Sequence, residues 1–106
     1  MNSSANNQNI TFTSTIDDDS AGDSDLTLTA GTGSVDLQGA VGGTTRVDDF
    51  TVASAAQADL MNVAADTIAV TSTNIDLKGT TYTSSVAGIT FTGAVDLDVS
   101  TGTVAV

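Results

Sequence analysis

The sequence predicts an all-β fold, a parallel β-helix (β-solenoid) with coils of about 21 residues. Leu26, Val47, Ile68 and Ile89 lie 21 residues apart, and similar phrases (LTLT, IAVT, ITFT) begin at three of them. The row at Val47 fits least well, because its strand is displaced to FTVAS. An antiparallel, pilin-like β-sandwich is the alternative, since evenly spaced turn signals also fit that fold.

Short stretches such as ITFT alternate apolar residues with threonine, which is the pattern of a half-buried strand. Successive side chains of a strand point to opposite faces, so Ile10 and Phe12 point inward while Thr11 and Thr13 point outward. Glycines in AGTGS and AVGGTT suit tight corners between strands. The same alternation predicts an inward set of Ile10, Phe12, Leu26, Leu28, Val35, Leu37, Val41, Phe50, Val52, Ile68, Val70, Ile75, Leu77, Ile89, Phe91, Val95, Leu97 and Val99.

The predicted organisation is a polar N-terminal tail, residues 1–9, followed by one β-strand-repeat domain, residues 10–106. Residues 54–66 differ from the rest because they are rich in alanine, so a short helix capped by Ser54 is the alternative there to strand or irregular coil. MNSSANNQN lacks the basic and apolar regions of a secretory signal, so we expect a removed signal or an excerpt of a longer chain.

A longer repeat overlies the short one. ITFT at Ile10 recurs at Ile89, and LTLTAGTGSV aligns with LDVSTGTVAV at the C-terminal side. The two copies differ by eight residues, which we interpret as a shortened turn. On this interpretation Phe12 and Phe91 occupy equivalent inward positions.

The segments ITFTG, LTLTAGTGSVDLQGAVGGTT and VDDFTV resemble the repeats of filamentous-haemagglutinin-like β-strand-repeat proteins of bacterial surfaces and secretions. The resemblance covers 10–52 and 88–106 well and 53–87 loosely. It implies a right-handed parallel β-helix, export to the cell surface or the extracellular space, and a role in adhesion or surface structure. The acidic segments DDDSAGDSD and RVDD depart from the family pattern.

Composition argues against several functions. The thirteen acidic residues are all aspartates against one arginine and one lysine, giving a net charge of −11. Nucleic acid and anionic membranes both require clustered basic residues, so neither is an expected partner. No stretch is apolar enough to span a bilayer. The chain contains no histidine or cysteine, so we predict that it is not an enzyme and has no catalytic or cofactor-binding residues.

The densest acidic segment is DDDSAGDSD. Calcium prefers several oxygen ligands, which makes Asp17, Asp19 and Asp23 weak calcium candidates. The spacing matches no known calcium loop, so the favoured interpretation is a solvated loop, with no metal and no cofactor.

The Thr-x-Thr pairs at Thr11, Thr27, Thr71 and Thr90 predict outward hydroxyl rows. A binding module that recognises a glycan or a surface is therefore an alternative function, with ice binding a less favoured version. The spacing indicates that these pairs do not all share one register and that the row at Val47 interrupts them.

Open strand edges suggest the main hypothesis. NITFTSTI and VDLDVSTGTVAV belong to the same repeat phrase, and neither end shows a capping helix or a proline. We therefore predict a structural, self-assembling subunit or fragment of an extracellular fibre, sheath or adhesin stalk. Its partner would be itself, in a head-to-tail homopolymer, and the predicted assembly residues are Ile10, Phe12, Val104 and Val106.

Overall fold

The computed structural model describes residues 1–98 and 103–106, which form a β-solenoid of about four turns. The strands are β1 (Ile10–Phe12), β2 (Leu26–Thr29), β3 (Ser34–Leu37), β4 (Val47–Ser54), β5 (Gln57–Leu60), β6 (Val63–Leu77) and β7 (Tyr82–Leu97). Every pair of these strands is parallel, which confirms the solenoid and excludes the antiparallel sandwich. The described residues contain no helix.

Each coil contributes to three parallel ladders. The acidic ladder consists of β1, β3, β5, residues 74–77 of β6 and residues 94–97 of β7. The threonine ladder consists of β2, residues 50–54 of β4, residues 67–71 of β6 and residues 88–92 of β7. The short ladder runs from Ile16 through Val41 and Val63 to Tyr82, and the neighbouring Thr81 bridges to Ala105. The chain passes through the acidic, short and threonine ladders in that order in each coil.

Coil length varies around the predicted period. Leu26 pairs with Phe50, Phe50 with Ile68 and Ile68 with Ile89, so successive partners are 24, 18 and 21 residues apart. The equivalent of Leu26 is thus Phe50 and not Val47. Between β3 and β4 the chain turns at Gly42, which has a φ of 67°. A side chain at that position would collide with the Ala64 carbonyl oxygen.

The two copies of the ITFT phrase lie in different ladders, so the inferred longer repeat is wrong. Ile10 and Phe12 belong to the acidic ladder, whereas Ile89 and Phe91 belong to the threonine ladder. Between Ile10 and β2 the chain crosses the short ladder, but from Ile89 it continues directly into the acidic ladder. The first copy is therefore eight residues longer because it includes a segment of the short ladder and the corner that follows it.

The core lies inside the coil, and the predicted inward face is largely confirmed. Eleven predicted residues are buried: Ile10, Leu28, Val35, Leu37, Val41, Phe50, Val52, Ile68, Val70, Ile75 and Leu77. Four are only partly buried: Phe12, Leu26, Ile89 and Phe91. Val95 and Leu97 are 40% and 63% exposed, so their prediction as core is wrong, and Val99 lies outside the described residues. The prediction missed Ala30, Val47, Ala55, Ala58, Leu60, Val63, Ala65 and Tyr82.

The alanine-rich segment 54–66 continues the solenoid, so the helix alternative is wrong. It contains the end of β4, all of β5 and the start of β6. Ala55 lies between β4 and β5 and Ala58 lies within β5, and both small side chains are buried inside the coil.

Candidate functional site

The C-terminal end of the solenoid presents an uncovered apolar layer. Residues 88–92 and 94–97 of β7 pair with β6 on one side and with no described residue on the other. Val95 and Leu97 lie in register over Ile75 and Leu77, which are 0% and 1% exposed. The upper pair remains 40% and 63% exposed because no described coil stacks on it. This layer, residues 85–97 with 103–106, is called the C-terminal end below.

Val104 and Val106, two of the predicted assembly residues, lie at this end. The Tyr82 backbone N–H donates to the Ala105 carbonyl over 2.8 Å, which adds residues 103–106 to the short ladder. Val104 is partly buried against the core, whereas Val106 is 69% exposed. Beside Val106 lies an open cleft of about 580 Å³, bounded on its other side by residues 88–89.

Tyr82 is a buried residue that lies next to the C-terminal end and contacts Phe91 there. Its hydroxyl donates to the Leu60 carbonyl over 2.8 Å and accepts from the Gly79 N–H over 3.0 Å. Burial raises the pKa of Tyr82. The ring of Phe91 meets that of Tyr82 edge to face, with centroids 6.2 Å apart. Tyr82 was not predicted as a core residue, because its neighbours are polar and the alternation there is weak.

Ile10 and Phe12, the other two assembly residues, lie at the opposite end. Ile10 is only 3% exposed, and Phe12 is partly buried. The N-terminal end, residues 1–16, contains no charged side chain. The structure thus divides the four predicted residues between the two ends.

The polar tail, residues 1–9, packs on the first coil. The Ser3 N–H donates to the Thr29 carbonyl, and the Thr29 N–H donates to the Met1 carbonyl, at 2.8 and 2.9 Å. The side-chain oxygens of Asn7 and Asn9 accept backbone N–H groups of the next coil at 3.1 and 2.9 Å. The tail therefore caps the corner between the threonine and acidic ladders.

One outward column of the acidic ladder contains four stacked aspartates. Thr11 pairs with Asp36, and the column continues through Asp59, Asp76 and Asp96. Like charges one strand apart repel each other. The recurring motif in SVDL, QADL, NIDL and AVDL encodes this column, and the prediction missed it because the spacing of these motifs is irregular.

Lys78 neutralises the middle of this column. Its Nζ lies 2.8 Å from a carboxylate oxygen of Asp59. The hydrogen bond to Asp59 raises the pKa of Lys78, and the charges of Asp36 and Asp76 raise it further. At the C-terminal end, Asp96 is exposed.

A second ion pair holds the corner between the short and threonine ladders. The Arg46 guanidinium donates to the Asp66 carboxylate, which raises the pKa of Arg46. Nearby, desolvation and the charges of Asp49 and Asp25 raise the pKa of Asp48.

Threonines on the threonine ladder share a register more closely than expected. Thr27, Thr51 and Thr90 occupy one outward column, with Ala69 between the last two. Thr71 pairs with Thr92 in the neighbouring column. The coil at Val47 contributes Thr51 and so does not break the column. Thr11, in contrast, lies on the acidic ladder.

The acidic turn binds backbone N–H groups with its carboxylates. Asp17 accepts from Thr44 and Thr45 at 2.8 and 3.1 Å, which ties the first coil to the second. Among the described residues, no three acidic side chains are placed to hold a metal ion. The favoured prediction of a solvated loop without calcium at Asp17, Asp19 and Asp23 stays a prediction, to be tested by melting curves with and without calcium.

Asp18 is the most strongly bonded carboxylate of this turn. It accepts the N–H groups of Asp19, Asp23 and Ser24 at distances of 2.8 to 3.1 Å. Desolvation opposes ionisation of the group, but the combined hydrogen bonds outweigh it and lower the pKa of Asp18 to about 2. The turn is therefore a fixed corner that depends on its charge.

These features define the class of the protein as a β-solenoid repeat protein. Comparison of the chain with known protein families, curated proteins and solved structures gives no match. Across residues 1–98 and 103–106 there is no helix long and apolar enough to cross a membrane.

Proposed function

We propose that this chain is a structural, self-assembling subunit or fragment of an extracellular fibre, sheath or adhesin stalk. The observation that supports this function is the C-terminal end, where Val95 and Leu97 are exposed although the residues directly beneath them are buried. Burial of apolar side chains stabilises an interface by roughly 25 cal/mol per Å² removed from water. A further coil stacked on this end would supply that burial.

The backbone of β7 supports the same proposal. Its outer edge carries amide and carbonyl groups that parallel pairing with another strand would satisfy. A contact between different ends of two copies does not close on itself, so it propagates into a filament. The net charge of −11 opposes association, and salt screens this repulsion over about 10 Å at 0.1 M.

Sedimentation and negative-stain electron microscopy across a salt series test the function. We expect filaments that increase with salt. Leu97→Lys should weaken assembly by placing a charge in the apolar layer, whereas Thr90→Lys adds the same charge at an outward position of the same strand. A compact monomer at high protein concentration and high salt would overturn the proposal. Equal effects of the two substitutions on assembly would show that the apolar layer is not the assembly surface.

We also propose a relationship to one family of β-strand-repeat proteins. The parallel solenoid and its Thr/Gly/Val-rich coils support a relationship to the filamentous-haemagglutinin-like β-strand-repeat proteins, and with it a location at the cell surface or outside the cell. Detection of the native protein in surface and secreted fractions of its source cells would test the location.

A second candidate function is a binding module for a glycan or an ordered surface such as ice. The column of Thr27, Thr51 and Thr90 supports it, because Thr27 and Thr51 are one strand spacing of about 4.8 Å apart and Thr90 follows Thr51 after two such spacings. Adsorption to polysaccharides and to ice should fall in Thr51→Lys and persist in Thr11→Lys, which alters a different ladder. No adsorption by the unmodified chain would reject this candidate.

A further inference from the structure

We propose that copies of this chain join head to tail in one defined register, with β1 of one copy pairing in parallel with residues 94–97 of another. In this register Ile10 would pair with Val95, Thr11 with Asp96 and Phe12 with Leu97. Because Ile10 is already only 3% exposed in its own chain, the new apolar burial would come to Val95, Leu97 and the partly buried Phe12. This inference rests on the proposed assembly function and specifies the two surfaces and their alignment. The pairing would continue the acidic ladder from one copy into the next.

Side-chain columns of the acidic ladder support this register. Within the chain, Ile10, Thr11 and Phe12 already pair with Val35, Asp36 and Leu37. Residues 95–97 repeat the same Val-Asp-Leu sequence at the open end. Both contacts thus bring together the same side-chain types, two apolar pairs inside and one Thr–Asp pair outside.

Backbone hydrogen bonds follow a rule that the docked strand would obey. The backbone N–H of the residue that follows the Val-Asp-Leu motif donates to a backbone carbonyl of the preceding coil. Gln38 donates to Phe12 over 2.9 Å, and Asp98 donates to Leu77 over 3.0 Å. The same rule assigns the Thr13 N–H of the incoming copy to the Leu97 carbonyl.

Charge favours head-to-tail over tail-to-tail contact. The C-terminal end carries Asp96 and is followed directly by Asp98, whereas residues 1–16 carry no charged side chain. Two C-terminal ends brought together would oppose these carboxylates, and directly opposed like charges destabilise paired strands. In the head-to-tail contact, the Thr11 hydroxyl would face Asp96 and separate the aspartate columns of the two copies.

The other two ladders are compatible with this alignment. Asn2 bridges to Thr29, so residues 1–3 lie on the threonine ladder. In the docked copy, residues 1–3 would lie over residues 91–93 of the other copy, where no further described strand pairs with the threonine ladder. Ile16 would then follow the exposed Val106 on the short ladder, which adds an apolar contact.

Disulfide cross-linking tests the register in the full-length chain, which contains no cysteine. Thr11→Cys and Asp96→Cys are made in separate chains, mixed at a salt concentration that sediments the unmodified chain, and oxidised. Paired residues on neighbouring strands lie about 4.8 Å apart, within the Cα range of disulfides. A chain with both Thr11→Cys and Asp36→Cys is the positive control, because these residues pair within one chain.

We expect a cross-linked dimer in the mixture and none in either variant alone. A dimer of the Asp96→Cys chain by itself would overturn the head-to-tail arrangement in favour of tail-to-tail contact, while leaving assembly intact. Sedimentation without a cross-link in the mixture, when the positive control closes, would overturn the register alone. Absence of sedimentation by the unmodified chain at every salt concentration would overturn the proposed function and the inference together.

Discussion

The two ends of the solenoid are built from similar strand phrases but differ in how they meet solvent. At the N-terminal end, Ile10 is buried and residues 1–9 form polar contacts with the next coil. At the C-terminal end, Val95 and Leu97 occupy equally inward positions and remain exposed. Similar strand phrases thus have a buried inward residue, Ile10, at one end and exposed inward residues, Val95 and Leu97, at the other.

This difference teaches that burial in a solenoid depends on the neighbouring coil as much as on the residue. An inward side chain in a middle coil has a layer above and a layer below, whereas Val95 and Leu97 have a described layer on one side only. The acidic ladder shows the contrast most directly, because Leu77 and Leu97 are stacked residues of the same type.

The largest expected effect compares those two leucines. Leu77→Ala should lower the free energy of unfolding by about 3 kcal/mol, because it leaves a cavity between two coils. Leu97→Ala should cost less than about 1 kcal/mol under conditions where the chain is monomeric, since the side chain is mostly exposed. Urea denaturation of both variants measures the difference. Equal costs would mean that the C-terminal end is covered.

A substitution at Phe91 tests whether the side-chain exposure seen at Val95 and Leu97 extends to earlier residues of β7. Phe91→Asp should cost about 2 kcal/mol, because a charge would replace a partly buried ring that packs on Tyr82. Thr90→Asp adds the same charge on the outward side and should cost little. Thermal melting followed by circular dichroism compares them, and two equally benign substitutions would contradict the assignment of faces on the threonine ladder.

Asp18 tests the polar contacts of the first coil. Asp18→Asn should lower the melting temperature at neutral pH, because the ionised carboxylate accepts three backbone N–H groups. Its pKa is lowered from 3.8 to about 2, so its stabilisation is present above pH 4 and is lost as the pH falls toward 2. The difference between the wild-type chain and the variant should therefore shrink over that range. A constant difference down to pH 2 would exclude a role for the charge.

The smallest effect concerns the cap at the N-terminal end. Asn9→Ala should cost about 1 kcal/mol, because it removes the side-chain acceptor of the Ser34 N–H. Asn6→Ala is the control in the same exposed tail, where the side chain makes no such contact among the described residues. Chemical denaturation should separate the two variants. If they have the same stability, the tail does not cap the first coil.

Much of the fold was predictable because the period-two alternation depends only on local strand geometry. It placed Leu28, Val35 and Ile75 inside correctly. It missed Ala58 and Tyr82, because small or isolated apolar residues give little periodic signal. It also mispaired Val47 with Leu26, since the length of a corner cannot be read from the strands that flank it.

The candidate site was predictable only in part. The repeated phrase and the expected absence of caps predicted residues at both ends, Ile10 and Phe12 with Val104 and Val106. It did not find Val95 and Leu97 as the exposed pair, because their residue types and alternation match those of buried strands. The aspartate column was also not predicted, because its members lie at irregular intervals in the sequence.

The sequence by itself determined that this chain forms short strands with one apolar and one polar face, and that those strands repeat about every 20 residues. Alternation and turn residues act over a few neighbouring positions, so local sequence is sufficient for them. The tertiary structure decided which strands stack, that the ITFT phrases fall on different ladders, and which apolar strand is left uncovered. Those outcomes depend on corner lengths summed over whole coils and on the neighbour that each coil receives.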